Sequence, residues 1–329
     1  MRDRRSVVTG VVVLLGLVFA GGCGGSSQES IEIAPSAAPL TLAVIGDVPY
    51  GVHQVESFPI FVDDINANSS VDVVLHLGDI KIGSDPCSEQ YYRQIRGFFG
   101  TFADPVVYTP GDNEWTNCDL PMAGGHEPAG RLALLRRVFF SRTGMTLGRE
   151  PMAVRTQAHQ KRFRRFAENV MWTDRGAVIA TLHVVGGSNG RKPWFQGRET
   201  ASQSAARQAE FAGRLAADLA WLDETFREAT RKDARAVVLA MHADMFNGGS
   251  GSGFERIVQR LTERARAFDG PVLLLNGDSH TYKVDTPLPR APNVKRIVVQ
   301  GVTVMEWLRL EIDPESEEPF ISQRRQVIP

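Results

Sequence analysis

No charge of either sign predominates in this sequence. Lys and Arg number 37 against 38 Asp and Glu, a net charge of -1, which gives no electrostatic ground for expecting nucleic acid. A long hydrophobic run is missing too. The longest, from Val7 to Ala20, is short and broken by Thr9, Gly10 and Gly16, which argues against a membrane-spanning helix. No dinucleotide or P-loop glycine pattern occurs. The letters of a serine-hydrolase elbow occur only at Gly249-Ser250-Gly251-Ser252-Gly253, in a Gly-rich loop rather than after a strand, which disfavours a serine hydrolase. Cysteine is scarce and odd in number, with three residues, and in an exported protein an odd count needs an explanation.

The N-terminus supplies one. Arg2, Arg4 and Arg5 precede the apolar run, which ends at Ala20-Gly21-Gly22-Cys23. A basic start, an apolar middle and a small-residue end make a signal peptide over residues 1–23. The last four residues resemble a bacterial lipobox, in which the Cys is lipidated; a plain signal peptide with an incidental Cys23 is the alternative. Residues 24–39 are rich in Gly, Ser and Pro, as a flexible tether is. The expectation is an exported protein of the cell envelope, touching the membrane through its lipid alone. Cys87 and Cys118 then remain, and an oxidising compartment lets them pair; two separate thiols is the other reading.

Residues 40–329 read as one α/β domain. Short apolar, β-branched runs lie at Thr41–Ile45, Val71–Leu77, Pro105–Tyr108, Ala177–Val185, Ala236–Met241 and Pro271–Leu275, with late strands at Val294–Val299 and Val304–Ile312. Several are continuous rather than alternating, as strands buried on both faces are. Between them, Phe211, Leu215, Leu219, Leu222 and Phe226 recur at helical spacing, as do Phe254, Ile257, Leu261, Ala265 and Phe268. A helical insert is expected at about 126–172. Its group Arg155, Lys161, Arg162, Arg164 and Arg165 reads as a solvated face, or as a lid that attracts an anionic substrate.

The chemistry lies at the strand ends. Strands run into Gly46-Asp47, into Gly78-Asp79, and through Thr109-Pro110 into Gly111-Asp112-Asn113-Glu114. Two more run into His242 and into Gly277-Asp278-Ser279-His280. The carboxyl ends of strands in an open α/β sheet lie along one edge, where ligands bind. Acids gathered there repel one another unless a cation holds them. One Gly-Asp turn is commonplace; five strand ends of this kind point to a metal centre.

These motifs resemble the calcineurin-like metallophosphoesterases, which include purple acid phosphatases and many phosphodiesterases. The resemblance spans about Leu40 to Ile312. It implies a four-layer α/β/β/α sandwich of two mixed sheets and a two-metal centre that hydrolyses phosphate mono- or diesters through activated water. Carried across residue by residue, Asp79 bridges the ions, Asp47 and His280 hold one, and Asp112, His242 and Asp278 hold the other. The pattern has departures. Pro49 stands where the family has a His ligand, and Tyr50, His53 or water is left to fill the gap. Asp112 stands where the family has Asn, unless the motif is shifted by one and Asn113 is the ligand. Asn113 also replaces the His that assists the leaving group, and an amide donates a hydrogen bond but no proton. Other candidate acids are His53, His76, His126 and His159, with His76 better explained as structural. Oxygen-rich ligation favours harder ions, Mn or Fe before Zn, Mg or Ca. Ser188 and Asn189, in the Gly186–Gly190 turn, are candidate substrate contacts, and Trp115 and Trp194 candidate cleft walls. The alternative is a phosphoesterase fold without turnover, kept as a binding or structural module.

Overall fold

The computed structural model describes residues 38–247 and 253–328. The expected signal peptide, Cys23 and nearly all of the tether lie outside the described residues, and from Ala37 onward the chain is one unit. No helix among the described residues is long and apolar enough to cross a membrane.

The continuous apolar runs form strands β1 (Leu40–Ile45), β2 (Val73–His76), β3 (Val106–Tyr108), β4 (Arg155–Thr156), β5 (Val170–Asp174) and β6 (Ala177–Thr181). The second half adds β7 (Ala236–Ala240), β8 (Val272–Asn276), β9 (Lys283–Asp285), β10 (Val294–Val298), β11 (Glu306–Ile312) and β12 (Phe320–Gln326). They assemble as two mixed sheets, ordered β12-β11-β1-β2-β3 and β4-β5-β6-β7-β8-β10-β9. Alternation within β1 explains the layering. Leu42 and Val44 point between the sheets, where they join Leu75, Val238, Leu273 and Leu275 in one core. Ala43 and Ile45 point the other way, onto Phe58, Phe61 and Phe99 of helices α1 (Gly51–Asn66) and α2 (Glu89–Phe99). The second sheet repeats this, with Val237 and Leu239 packed on Leu215, Leu222 and Leu261 of α4 (Ala201–Arg231) and α5 (Glu255–Arg266). Each such side chain contributes about 1.5–3 kcal/mol by leaving water. Ser88 caps α2 through the Tyr91 amide, and Thr200 and Gln203 form a capping box at the start of α4. The four-layer expectation holds.

The stretch at 126–172 differs from the expected helical insert. Its one helix is α3 (Pro128–Phe139), where Leu132, Leu135 and Phe139 recur at helical spacing. Beyond it the Arg-rich segment lacks that period and forms 3-10 turns, then strand β5, which pairs antiparallel to β6. Two of the arginines stack on neighbouring rings, Arg162 over Phe163 and Arg165 over Phe166, and Arg155 pairs with Glu224 and Glu228 of α4. Arg155 thus docks the start of the segment on α4, while Arg162 and Arg165 lie exposed over rings of the segment itself, as a solvated face does.

A buried polar network fixes the same region. Arg136 and His183 both bond Glu168, and Asn169 donates to Gln157 and to Asp218 of α4. Burial alone would raise Glu168, yet the Arg136 guanidinium and the His183 imidazole hold it well below the carboxylate range. Asp218 has no such pair. Burial pushes it up to about 7, against a lowering by Arg214, and its Oδ2 has no partner among the described residues.

Two predictions follow from these contacts. Cys87, ahead of α2, and Cys118, in the 3-10 turn Thr116–Asp119, are joined in a disulfide with Cα atoms 5.7 Å apart. The bridge closes a separation of 31 residues, so the double Cys→Ser variant should lose about 3–4 kcal/mol of unfolding free energy in urea titration. Asp218 binds a proton more tightly folded than unfolded. Its contribution to stability is therefore present below pH 3.8 and lost as pH rises towards about 7. The Asp218→Asn variant should match wild type near pH 4 and exceed it by on the order of 2 kcal/mol above pH 7.

Candidate metal centre

Strand register brings the acids together. Ile45 pairs with His76, and His76 with Tyr108, so three parallel strands of the first sheet end at one level. Ala240 pairs with Leu275 across β7 and β8 of the second sheet. Asp47, Asp79 and Asp112 thus leave one sheet, and His242, Asp278 and His280 the other, towards a common space. The turns are tight. Asp47, Asp79, Asp278 and His280 have φ of +54°, +56°, +69° and +54°, a region costly for residues with a Cβ and a recurrent feature of functional sites. Gly111 packs so closely that an added Cβ would stand 2.1 Å from Asp79 Oδ1. Space demands glycine at 78, 111 and 277, where an added Cβ would meet a neighbour at 2.5, 2.1 and 2.6 Å, and at Gly78 a φ of +95° demands it as well.

Two donor groups result, sharing Asp79: Asp47, Asp79 and His280, and Asp79, Asp112 and His242. His280 Nε2 lies 3.2 Å from Asp47 Oδ1. His242 Nε2 lies 3.1 Å from Asp112 Oδ1, 3.4 Å from Asp79 Oδ1 and 3.8 Å from Asp278 Oδ1. Its Nδ1 meets the Leu77 carbonyl at 3.0 Å, a contact that sets the tautomer leaving Nε2 free to ligate. Asp278 Oδ2 accepts the Asp244 amide, and its own amide reaches Asp47.

The electrostatics fit a cation site. Burial would lower His242, but Asp79, Asp112 and Asp278 hold it well above the imidazole range. Burial drives Asp79 far above the carboxylate range, even beside His242, and pushes Asp278 up to about 6. Buried acids crowded around one imidazole call for more positive charge than the chain supplies. Lys81, fully buried, is spent on the carbonyls of Ile82 and Asn113.

Around the donors stands a scaffold that sequence reasoning only partly reached. Glu114 Oε1 accepts the amides of Asp79 and Gly111 and the Tyr108 hydroxyl, tying two strand ends together; its only sequence signal was its place in the third motif. His76 spans two loops, with Nδ1 taking the Gly78 amide and Nε2 meeting the Val48 carbonyl. Burial lowers it to about 4, so it is neutral and structural, as expected. Asn113 and Tyr50 both face Asp79. The Tyr50 hydroxyl donates to Asp79 Oδ2 at 2.7 Å, and Asn113 Nδ2 donates to Tyr50 Oη at 2.8 Å and to the same Asp79 oxygen. Asp112 instead faces His242, so of the two open alternatives the geometry puts Asp112 in the second donor group. Burial and the Asp79 and Asp47 carboxylates keep the Tyr50 phenol far above its ordinary range.

Two candidates need correction. His53 is exposed on the first turn of α1, lining a separate surface cavity with Thr303 and Val327, because helical geometry turns it away from the loop that carries Tyr50. Asn189 is fully buried, with its carbonyl bonded to Arg214 and its amide to Gly253, which leaves nothing for a substrate. Ser188, half-buried at φ +61°, keeps its place in the turn. The turn does meet the centre, but through Gly186, whose added Cβ would stand 2.7 Å from Asp278 and 2.8 Å from Asp112. His159 is exposed, and Trp115 is packing, fully buried under Arg214.

Comparison with known proteins places this architecture. A search of curated proteins returns no match. Among solved structures, the fold is similar to a dimetal phosphatase from Danio rerio, with a TM-score of 0.52 and 12% identity over 88% of this chain and 97% of that one. It is also similar to the purple acid phosphatase PPD1 from yellow lupin (Lupinus luteus) seeds, with a TM-score of 0.50 and 12% identity over 89% of this chain and 52% of that one. At such identity each likeness is one of fold. The family model described as calcineurin-like phosphoesterase matches residues 40–282, a span that holds every donor named above, and it is to this family of phosphoric ester hydrolases that the chain belongs.

Proposed function

We propose that the protein hydrolyses phosphate mono- or diesters at a two-metal centre, and that it does so at the cell envelope. The observation that carries the reading is the pair of donor groups sharing Asp79. Asp47 and His280 complete one site; Asp112, His242 and Asp278 complete the other. Ions bound there supply Lewis acidity, neutralising phosphoryl oxygens and acidifying water. The donors are mostly carboxylates, which favours Mn or Fe. The leader ending in Cys23, and a disulfide suited to an oxidising compartment, support an exported, lipid-anchored chain.

The chain's own groups do the positioning. Glu114 and His76 hold the loops of Asp79 and Asp47, and the Leu77 carbonyl aims His242. Asn113 offers hydrogen bonds but no proton. Tyr50, turned inward from beside Pro49, puts a hydroxyl on the side where the family's His is missing, and we assign it that place. The amide at position 113 also favours the second reading, a binding module without turnover.

Reconstitution of the purified chain with Mn, Fe, Zn or Mg should give cleavage of a nitrophenyl phosphate mono- or diester. Asp79→Asn should lose the bound metal, read by elemental analysis after dialysis, and at least about a hundredfold in turnover. Metal retained by neither protein, with no turnover, would favour the binding module. Tyr50→Phe keeps the ring and removes the hydroxyl. It should unfold within a few degrees of wild type yet lower kcat by about tenfold or more, with a reduced metal-to-protein ratio.

A further inference from the structure

Beside the centre lies a cavity of about 280 Å³, at the small end of ligand pockets. Two of its walls adjoin Asp112. Asn117, one wall, places Nδ2 3.3 Å from Asp112 Oδ2, and a Cβ on Gly187, another wall, would stand 3.5 Å from the same oxygen. An ester whose phosphorus sits at the donor groups can extend its alcohol portion into this space. The far wall is the segment between the Gly-rich turn and α4, with Lys192, Pro193, Trp194 and Gln196.

The charges of the cavity are unequal in availability. Its carboxylate, Asp119, is buried and spent on the Phe195 amide, which pins the far wall to the floor. Its ammonium, Lys192, is exposed and makes no ion pair among the described residues. Asn117 is likewise committed, to Asp112 and to Asn113. Of these two charges among the described residues, the carboxylate is buried and turned to the far wall, and the ammonium is the exposed one, so the charge an occupant can reach is positive.

We propose that this cavity receives the alcohol portion of the ester, and that the alcohol it fits is small and carries a second anionic group, a carboxylate being the simplest, held by Lys192. The proposal rests on the hydrolase reading above. A solvated ammonium adds modest affinity and much discrimination between charged and uncharged partners, so its effect falls on KM, while the groups around Asp79 govern kcat.

The test compares 4-nitrophenyl phosphate with its ring-carboxylated analogue on the metal-loaded full chain. Wild type should prefer the carboxylated ester, and the preference should shrink as salt is raised. Lys192→Glu should raise KM for that ester about tenfold and change KM for the ester without the carboxylate less than twofold, with kcat unchanged for both. Lys192→Gln should fall between. An equal change for the two esters, or none, would overturn the proposal. Calorimetric binding of a carboxylated phenylphosphonate separates this outcome from failure of the hydrolase reading. If neither ester turns over, binding weakened in Lys192→Glu still sustains the pocket, and equal binding by the two proteins sinks it.

Discussion

Everything at this centre depends on the repulsion of buried carboxylates. Asp47, Asp79 and Asp112 are all almost fully buried, and Asp278 stands at their rim. At such burial the Coulomb energy of like charges is only weakly screened. The acids around His242 hold it towards its cationic form, and burial drives Asp79 towards its neutral form. Divalent ions relieve the same repulsion without that proton redistribution. Binding of ions there would therefore be linked to folding of the domain, with protons competing for the same oxygens.

Steric constraint makes the electrostatics specific. The glycine at 111 lets the third loop rest on Asp79, and the glycine at 186 lets a loop of the other sheet rest on Asp112 and Asp278. Both contacts leave no room for a methyl group, so the carboxylates are set by backbone packing rather than by flexible side chains. The disulfide reinforces this from behind. Both its sulfurs lie within 4 Å of the Asn113 carbonyl, and Lys81 bonds the same oxygen. The loop bearing Asp112 and Asn113 is thus held by a covalent bridge, a hydrogen bond from a buried ammonium and steric packing at once.

The strand ends were readable in the sequence because a doubly buried strand must be continuously apolar, and a polar residue at its end then stands out. Asp47, Asp79, Asp112, His242, Asp278 and His280 carried that signal. Strands β4, β9 and β12 did not, since edge strands with exposed residues such as Lys283 and Gln323 lack the apolar run that marks the others. The buried role of Glu114 was hidden because a lone Glu in a loop is usually solvated. Asn189 misled for the opposite reason. An Asn among glycines reads as exposed turn chemistry, and only the three-dimensional arrival of Arg214 from α4 removes it from solvent.

The departures from the family pattern make one argument when taken together. Substituting Pro49 for a ligand and Asn113 for a proton donor removes imidazole from the side of the centre where Tyr50 and Asn113 now meet on Asp79. An amide in that position can orient a leaving group but cannot neutralise it. Charge that develops on a departing oxygen must then be met by the ions, by a low leaving-group pKa, or by a cation nearby. In the proposed pocket Lys192 binds the far end of the alcohol and does not meet that charge. The loss of a general acid therefore leaves bound ions and an acidic leaving group to stabilise the alcohol as it departs, so that electrostatics would stand in for proton transfer.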